Sequence, residues 1–466
     1  MRIFNTQTRQ KEEFIPLEPG KIKMYACGPT VYDYFHIGNA RAFVVFDTMR
    51  RHLERRGYDV QFVQNLTDID DRMIKRANDE GITVKELADR FIAAYFEDAD
   101  ALGVRRATVH PKATEHIPEI IALVARLEAK GLAYALNGDV YFDTQAYKAH
   151  YGKLCGQNME DLESGSRVGV DEAKRHPMDF ALWKAQKPGE PAWESPWGPG
   201  RPGWHIECSA MSMKYLGETF DIHLGGQDLI FPHHENEMAQ SEGATGKPFV
   251  RYWMHNGFLN IDNEKMGKSL GNFKTVHDIR AHTDPEAIRF FLLSAHYRSP
   301  LNYTPEQLSQ ASAALERLYT ARDHCAFLLE GAEDREPNQA EAALMEAAGQ
   351  AALRFDEAME DDLNTADAIG VLFDLVKQAN IALRPPCAAV AVRAVMDAMA
   401  GMGAVLGILK PREKGANAEA DALLDARAKA RAEKNWAESD RIRDALKAMG
   451  YVVEDTSQGQ KVRRGG

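Results

Sequence analysis

The segment from residue 21 to 65 most constrains what this chain can fold into. Residues 21–26 read as a short strand, followed by a turn-rich stretch, Cys27-Gly28-Pro29-Thr30-Val31-Tyr32-Asp33-Tyr34-Phe35. His36-Ile37-Gly38-Asn39 then opens an amphipathic run to about Arg56, with Val44, Val45, Met49 and Leu53 near helical spacing. Gly57 suits the stop of that helix, and residues 60–65 read as a second strand. This is a βαβ unit, the building block of a parallel, nucleotide-binding sheet, with a helix N-terminus able to meet phosphate. It carries no G-x-G-x-x-G, so the common dinucleotide fingerprint is absent.

The next stretches leave alternatives open. Asn65-Leu66-Thr67-Asp68-Ile69-Asp70-Asp71 offers carboxylates for a magnesium ion or caps for the following helix. Residues 72–131 are largely helical in pattern. Residues 132–204 are mixed and turn Gly/Pro-rich, so about 100–200 reads as an insertion between two halves of one domain. Gly203-Trp204-His205-Ile206-Glu207-Cys208 leads into a helix, and 220–223 is a buried strand in pattern. After it, Gly225-Gly226-Gln227-Asp228 is either a plain turn or a place where a ligand meets backbone and an acid holds ribose hydroxyls.

Phe231-Pro232-His233-His234-Glu235-Asn236-Glu237 carries the sharpest local signal. Pro232 suits the first turn of a helix, which would set His233 and Glu237 at i and i+4 on one face. That spacing serves a shared metal ion or a plain hydrogen bond. Further on, Lys265 and Lys268 stand three apart in a loop, either an ordinary basic loop or one suited to phosphates whose charge grows during transfer.

At 466 residues the chain is too long for one core, and about three domains are expected. Its 44% hydrophobic and 27% charged residues are those of a soluble globular protein. No run of about 18 apolar residues exists, so no membrane span is expected, and the N-terminus lacks an apolar signal core. Five scattered cysteines imply a reducing, cytoplasmic setting, with Cys155, Cys325 and Cys387 as ordinary small residues. The net charge of −12 argues against a dedicated nucleic-acid binder, yet residues 411–466 hold 12 Lys+Arg against 10 Asp+Glu, or +2, leaving −14 for the rest. Residues 304–409 are Ala- and Leu-rich with helical periodicity, 411–418 are a polar linker, and 426–449 read as a charged helix pair around Trp436 and Arg441. Val452 and Val453 suit a small strand. Trp436 suits either stacking on an RNA base or packing of the small domain.

His36-Ile37-Gly38-Asn39 resembles the first signature of the class I aminoacyl-tRNA synthetases, usually His-Ile-Gly-His, with Asn39 in place of the last histidine. Lys265-Met266-Gly267-Lys268-Ser269 resembles the second, usually Lys-Met-Ser-Lys-Ser, with Gly267 for serine, and the two lie 265 − 36 = 229 residues apart. With Cys27 to Tyr32, Gly203 to Cys208 and Phe231 to Glu237 added, nearly the whole chain resembles the cysteinyl-tRNA synthetases, most strongly in 20–75 and 200–275.

The resemblance implies an α/β architecture. A Rossmann-like parallel-sheet catalytic domain (1–100 and 201–255) is interrupted by a connective insertion (101–200). A lysine-loop and stem-contact region (256–303), an α-helical bundle (304–410) and a small C-terminal α+β domain (411–466) follow. It implies ATP contacts from His36, Gly38, Asn39, Asp228 and Lys268. His36, Asn39, Lys265 and Lys268 would stabilise the phosphates, with Mg²⁺ arriving with ATP. It implies one Zn²⁺ per chain on Cys27, Cys208, His233 and Glu237, a link between distant residues that only the family supplies. Glu235 is a candidate to orient His233.

Cysteine and serine are nearly isosteric, and zinc prefers a thiolate to a hydroxyl, so the substrate sulfur is expected at the metal and no editing site is required. A closed, purely structural zinc is the alternative. Thr67, Trp204 and His223 would line the amino-acid pocket, and Asp228 would take ribose or the substrate amine. The implied partners are ATP, L-cysteine and tRNA(Cys). Bundle and tail, including Trp436 and Arg441, would meet the anticodon arm, and a monomer is expected. Two other readings are a ligase of the same fold joining cysteine to an amino sugar, which the tail at 411–466 argues against, and a tRNA-binding paralogue without catalysis.

Overall fold

The computed structural model describes residues 1–157, 174–267, 271–411, 418–449, 451–456 and 459–464. Its contacts divide the chain into two units. One comprises Met1–Pro305 with Met359–Thr365, and the other Glu306–Ala358 with Ala366–Gly466.

The first unit is built on a four-stranded parallel sheet. Strand β3 (Lys21–Ala26) lies beside β4 (Asp59–Gln64) on one side and β9 (Phe220–Gly226) on the other, and β10 (Val250–Asn256) pairs with β9. Ile22, Met24, Tyr25 and Ala26, and Phe220, Ile222 and Leu224, are buried, as apolar strand residues are in a sheet covered on both faces. The chain moves from β3 to β4 in one direction and from β9 to β10 in the other. The sheet therefore has its topological switch between the carboxyl ends of β3 and β9, where open α/β sheets bind ligands. Two buried polar residues interrupt the apolar run of β9, and one of them, Asp221, is taken up by the main-chain N–H groups of Leu17 and Lys23. His223 sits in register with Tyr25 and with Trp253 and is fully buried.

Helix α1 (Ile37–Arg55) starts where the sequence pattern places it. It is covered by α8 (Pro285–Leu293), which explains the buried charges on its flank. Asp47 accepts from Arg289 (2.7 Å), Arg51 (2.7 Å) and the Arg105 N–H (3.1 Å), while Arg289 also reaches Thr48 and two main-chain carbonyls. Helices α2 (Asp71–Glu80), α3 (Val84–Ala101) and α4 (Ile117–Ala129) follow. Asp70 caps the first by accepting the Met73 N–H (2.8 Å), and Asp68 instead accepts the Thr114 N–H (3.0 Å). Asp71 pairs with Lys184 and Arg201. The acidic cluster thus separates into a cap and two structural anchors. The insertion folds as an antiparallel sheet in sequence order, β5 (Ala133–Leu136), β6 (Asp139–Phe142), β7 (Phe180–Ala185) and β8 (Gly200–Pro202). Val140, Phe142, Leu182 and Trp183 pack it on α4 and on α5 (Trp204–Leu216).

The segment Met359–Thr365 closes the first unit. Asp362 accepts from the Phe4 N–H (2.8 Å), the Tyr297 hydroxyl (2.8 Å) and Arg298 Nε (2.7 Å), and its own N–H donates to the Arg2 carbonyl (2.8 Å). The second unit holds the long helices Pro305–Glu330, Gln339–Glu360, Thr365–Ala382 and Ala389–Leu406, apart from the residues assigned above to the first. Ala389–Leu406 is long and apolar enough to cross a membrane by length and composition, an exception to the expectation from the sequence. It carries Arg393 and Asp397, and Val392, Val395, Met399, Met402 and Leu406 bury one face of it in the unit. The tail is a helix pair, Ala418–Ala432 and Trp436–Ala448, with a hairpin of Tyr451–Thr456 and Gly459–Arg464 around Ile442, Leu446 and Val453.

Asp47→Ala removes the buried carboxylate that accepts from Arg289 and Arg51 and is expected to destabilise the first unit by about 3–5 kcal/mol, read as a lower urea midpoint at pH 7. Burial would raise the Asp47 pKa, but Arg289 and Arg51 hold it below the usual range. Its stabilisation is therefore complete above about pH 4 and disappears as pH falls through the depressed value.

Candidate active site

Three chain segments bring donor atoms together at the switch point. Cys27 ends the run from β3. Cys208 sits on α5, buried against the same sheet. His233 and Glu237 come from the stretch after β9. Here the structure follows the sequence pattern: Phe231 is extended, the helical backbone resumes at Pro232, and it runs on into the regular helix α6, Glu235–Thr245. The i,i+4 contact forms, with His233 Nε2 3.0 Å from Glu237 Oε1.

Cys27 Sγ lies 3.8 Å from Cys208 Sγ and 3.4 Å from Glu237 Oε1. One donor atom from each of Cys27, Cys208, His233 and Glu237 falls within 4.8 Å of all the others. Two sulfurs on one tetrahedral zinc, each at about 2.3 Å, would be about 3.8 Å apart, so the residues present fit that ion in both chemistry and spacing.

The charge state of the cluster follows from burial and contact. Burial alone would lower the His233 pKa, but the Glu237 carboxylate raises it to about 10. Burial would raise that of Glu237, but His223 and His233 hold it down to about 2. A hydrogen bond from Cys27 lowers Cys208 to about 6, while burial pushes Cys27 up. One thiolate and one carboxylate are thus already favoured in the cluster, as zinc requires of its ligands.

What orients these ligands was not apparent from the sequence. Glu235, the candidate partner of His233, turns away and accepts the N–H groups of Gly152, Leu154 and Cys155 at 2.8–2.9 Å, pinning the insertion. The His233 ring is set by His205, with the two Nδ1 atoms 2.8 Å apart, and by Trp204 stacked at 4.3 Å. His223 meets Glu237 Oε2 at 2.9 Å and stacks on Trp253 at 4.6 Å. His234 Nδ1 meets His255 Nε2 at 2.7 Å, and His255 Nδ1 meets Thr6 Oγ1 at 2.8 Å. Burial keeps His205, His234 and His255 neutral, the last pushed down to about 3. The doublet at 233–234 and the His205 beside Trp204 were the available signals, but neither says which ring faces which neighbour.

A cavity of about 380 Å³ opens beside the cluster. Cys27, Cys208, His233, Thr67 and Trp204 line one part of it, and His36, Gly38, Asn39, Asp228 and Lys265 another. His223 lies behind Glu237 and is not on the cavity wall. Thr67 donates to the buried Glu207 (3.0 Å). His36 caps α1, its Nδ1 accepting the Asn39 N–H (3.2 Å), so the ring proton belongs on Nε2. A Cβ on Gly38 would come within 3.0 Å of the His36 ring, so the bare backbone keeps this helix start open. The lysine loop returns here, with Ile37 N–H donating to the Lys274 carbonyl (3.0 Å) and Gly267 N–H to Asn272 Oδ1 (2.8 Å). Lys265 Nζ lies 5.6 Å from the Phe258 ring. Lys268 lies outside the described residues.

In the tail, Trp436 is 56% exposed with the Arg431 guanidinium 5.5 Å over its ring, so it does not serve as the packing residue of the small domain. Arg441 is paired with Glu438 at 2.7–2.8 Å.

Comparison with known proteins places this geometry. Residues 13–313 match the family model of the tRNA synthetases class I (C) catalytic domain, 354–410 a DALR domain, and 413–463 a cysteinyl-tRNA ligase anticodon binding domain. The cysteine–tRNA ligase of Caldicellulosiruptor saccharolyticus is 56% identical and that of Clostridioides difficile 53%, each match covering 100% of both chains. Among solved structures, Mycobacterium tuberculosis methionyl-tRNA synthetase with methionyl-adenylate aligns at TM-score 0.61 and 17% identity over 83% of this chain and 89% of its own. An Agrobacterium radiobacter LeuRS–tRNA–LeuAMS complex aligns at 0.62 and 11%, over 85% and 86%. At these identities the likeness is one of fold.

A Cβ on Gly28 would lie 1.6 Å from the Asn65 carbonyl oxygen, a main-chain atom that cannot step aside. Gly28→Ala is therefore expected to displace the adjoining Cys27 and to leave well under one zinc per chain after dialysis, measured by mass spectrometry of the metal.

Proposed function

The chain belongs to the class I cysteinyl-tRNA ligases, ATP-dependent aminoacyl-tRNA ligases, and from that premise we propose how its own residues carry the reaction. The observation that carries the reading is the convergence of Cys27, Cys208, His233 and Glu237 beside the cavity that also takes in the capped start of α1. The cysteine carboxylate attacks the α-phosphate of ATP and pyrophosphate leaves. The terminal ribose hydroxyl of tRNA(Cys) then attacks the adenylate carbonyl and releases AMP. No covalent enzyme intermediate is needed, so the work is positioning and charge stabilisation.

Cys27, Cys208, His233 and Glu237 would hold one zinc ion. When bound, zinc supplies a Lewis acid that favours a thiolate over a hydroxyl and so separates cysteine from serine. Trp204 and Thr67 bound the amino-acid end of the cavity, and His223 acts through Glu237 by fixing its carboxylate. His36 is committed as an acceptor at Nδ1 and so presents Nε2–H as a donor to phosphate oxygens, with Asn39 and the open backbone at Gly38 alongside. Asp228 takes ribose hydroxyls or the substrate amine. Lys265 and Lys268 neutralise the pyrophosphate end, together with the Mg²⁺ that accompanies ATP. The free thiols support a cytoplasmic setting, and we propose a monomer as the working state. The exposed Trp436 under Arg431 is a stacking platform for an unpaired base of the tRNA, and Arg441, on the same helix, adds positive charge for its backbone.

Cysteine-dependent ATP–pyrophosphate exchange on protein of known zinc content tests this reading. Exchange is expected with cysteine and not with serine, at one zinc per chain, and Cys208→Ser should abolish it. Exchange that persists at full rate without zinc would overturn the role given to the metal. His36→Asn keeps a good helix cap but removes the ring donor, so the exchange rate should fall by about 10²–10³ with little change in melting temperature. Trp436→Ala should weaken tRNA binding by about 1–3 kcal/mol, measured by filter binding at fixed salt.

A further inference from the structure

The cluster at the switch point contains a second set of four donors. One atom from each of Cys27, His223, His234 and Glu237 also falls within 4.8 Å of all the others. The two sets share Cys27 and Glu237. They differ in where the remaining two ligands stand: Cys208 and His233 line the cavity, whereas His223 and His234 are fully buried and off its wall.

Of the two inner histidines, His234 is held as a ligand is held. His234 Nε2 lies 3.3 Å from Cys27 Sγ and 3.9 Å from Glu237 Oε1. Its other nitrogen faces His255, which faces Thr6 in turn. Passing the protons outward along that line, from His234 Nδ1–H to His255 Nε2 and from His255 Nδ1–H to Thr6 Oγ1, leaves the lone pair of His234 Nε2 turned toward the shared ligands. A metal-bound imidazole needs this arrangement, with its far N–H satisfied by a fixed acceptor. His223 is clamped between Trp253 and Glu237, and its Nδ1 is buried with no hydrogen-bond partner among the described residues. Two buried imidazoles, a carboxylate and a thiol are a zinc-type donor set in their own right.

We propose that Cys27, His223, His234 and Glu237 form an inner position for the same divalent ion, alternative to the outer one on Cys27, Cys208, His233 and Glu237. The inference rests on the zinc reading of the outer set. Because Cys27 and Glu237 serve both positions, the chain holds one ion at a time. An ion in the inner position meets the cavity only through Cys27 and leaves Cys208 and His233 facing it free. Transfer between the two exchanges one thiolate and one imidazole for two imidazoles, so the positions differ in sulfur count, which cobalt(II) reports directly.

The experiment uses the full chain loaded with cobalt(II) and dialysed, with metal content and the near-ultraviolet thiolate-to-cobalt absorption as readouts. The parent should hold one cobalt with the intensity of two thiolates. Cys208→Ala/His233→Ala removes both ligands peculiar to the outer set and should still hold one cobalt, at about half the parent's thiolate absorption. Adding His234→Ala to that pair should remove the ion. Cys208→Ser/His233→Asn, closer in volume, is read the same way if circular dichroism shows that the alanine pair does not fold. A parent with one cobalt and folded double variants with none would overturn the inner position while leaving the outer reading intact. So would a double variant whose ion is untouched by His234→Ala. A parent that binds no cobalt would overturn both.

Discussion

The guanidinium of Arg41 fixes the frame on which the rest of the catalytic unit depends. It is fully buried one turn into α1 and donates to the carbonyls of Gly257, Phe258, His296 and Ser299 at 2.6–3.1 Å. Those carbonyls belong to the exit of β10 and to the loop before β13 (Leu301–Tyr303), which a helix start could not otherwise reach. One planar fork thus ties the start of α1 to the strands that lead into the lysine loop. An arginine suits this task because its donors leave in fixed directions and its charge survives burial, which pushes its pKa only to about 10. The position of His36 relative to Lys265 is a consequence of that tie.

A second constraint operates at the cluster of Cys27, Cys208, His233 and Glu237. Five histidines, one carboxylate and two cysteines are packed at the end of a sheet where apolar residues would be expected. Burial is tolerated because each ring has a neighbour that fixes it: Trp204 and His205 for His233, Trp253 and Glu237 for His223, and His255 for His234. Glu237 is the member that balances charge, held ionised by His223 and His233. Side chains whose rotamers are locked by packing keep their mutual geometry at the edge of an open cavity and would lose little freedom on binding a ligand.

How much of this could be read beforehand depended on range. The first strand, the helix start at His36 and the stop at Gly57 follow from local chemistry, and the structure repeats them nearly residue for residue. Asp70 as a cap is likewise a decision made within four residues. The helical turn that follows the extended Phe231 at Pro232 is equally local. The role of Glu235 was not legible in this way, since its carboxylate is taken by groups about 80 residues upstream. Its partners are backbone N–H groups of the insertion, which have no side-chain signature. His205, His234 and His255 carry no spacing that announces their mutual contacts, which exist only because β9, β10 and α5 converge. Ala389–Leu406 shows the reverse case: its composition suits a membrane, and only the structure reveals that half of it is buried inside the unit.

The return of Met359–Thr365 to the first unit bears on how the chain is made. A ribosome delivers residues 1–305 first, yet the carboxylate of Asp362 that joins Phe4, Tyr297 and Arg298 is still more than fifty residues from synthesis. The N-terminal strand Arg2–Asn5, paired with Gln10–Glu13, and the loop after α8 must therefore wait, with their donors in water, while two long helices of the other unit emerge. Folding of the catalytic unit can begin early, but its last closure belongs to a later moment of translation than its own contiguous sequence would suggest.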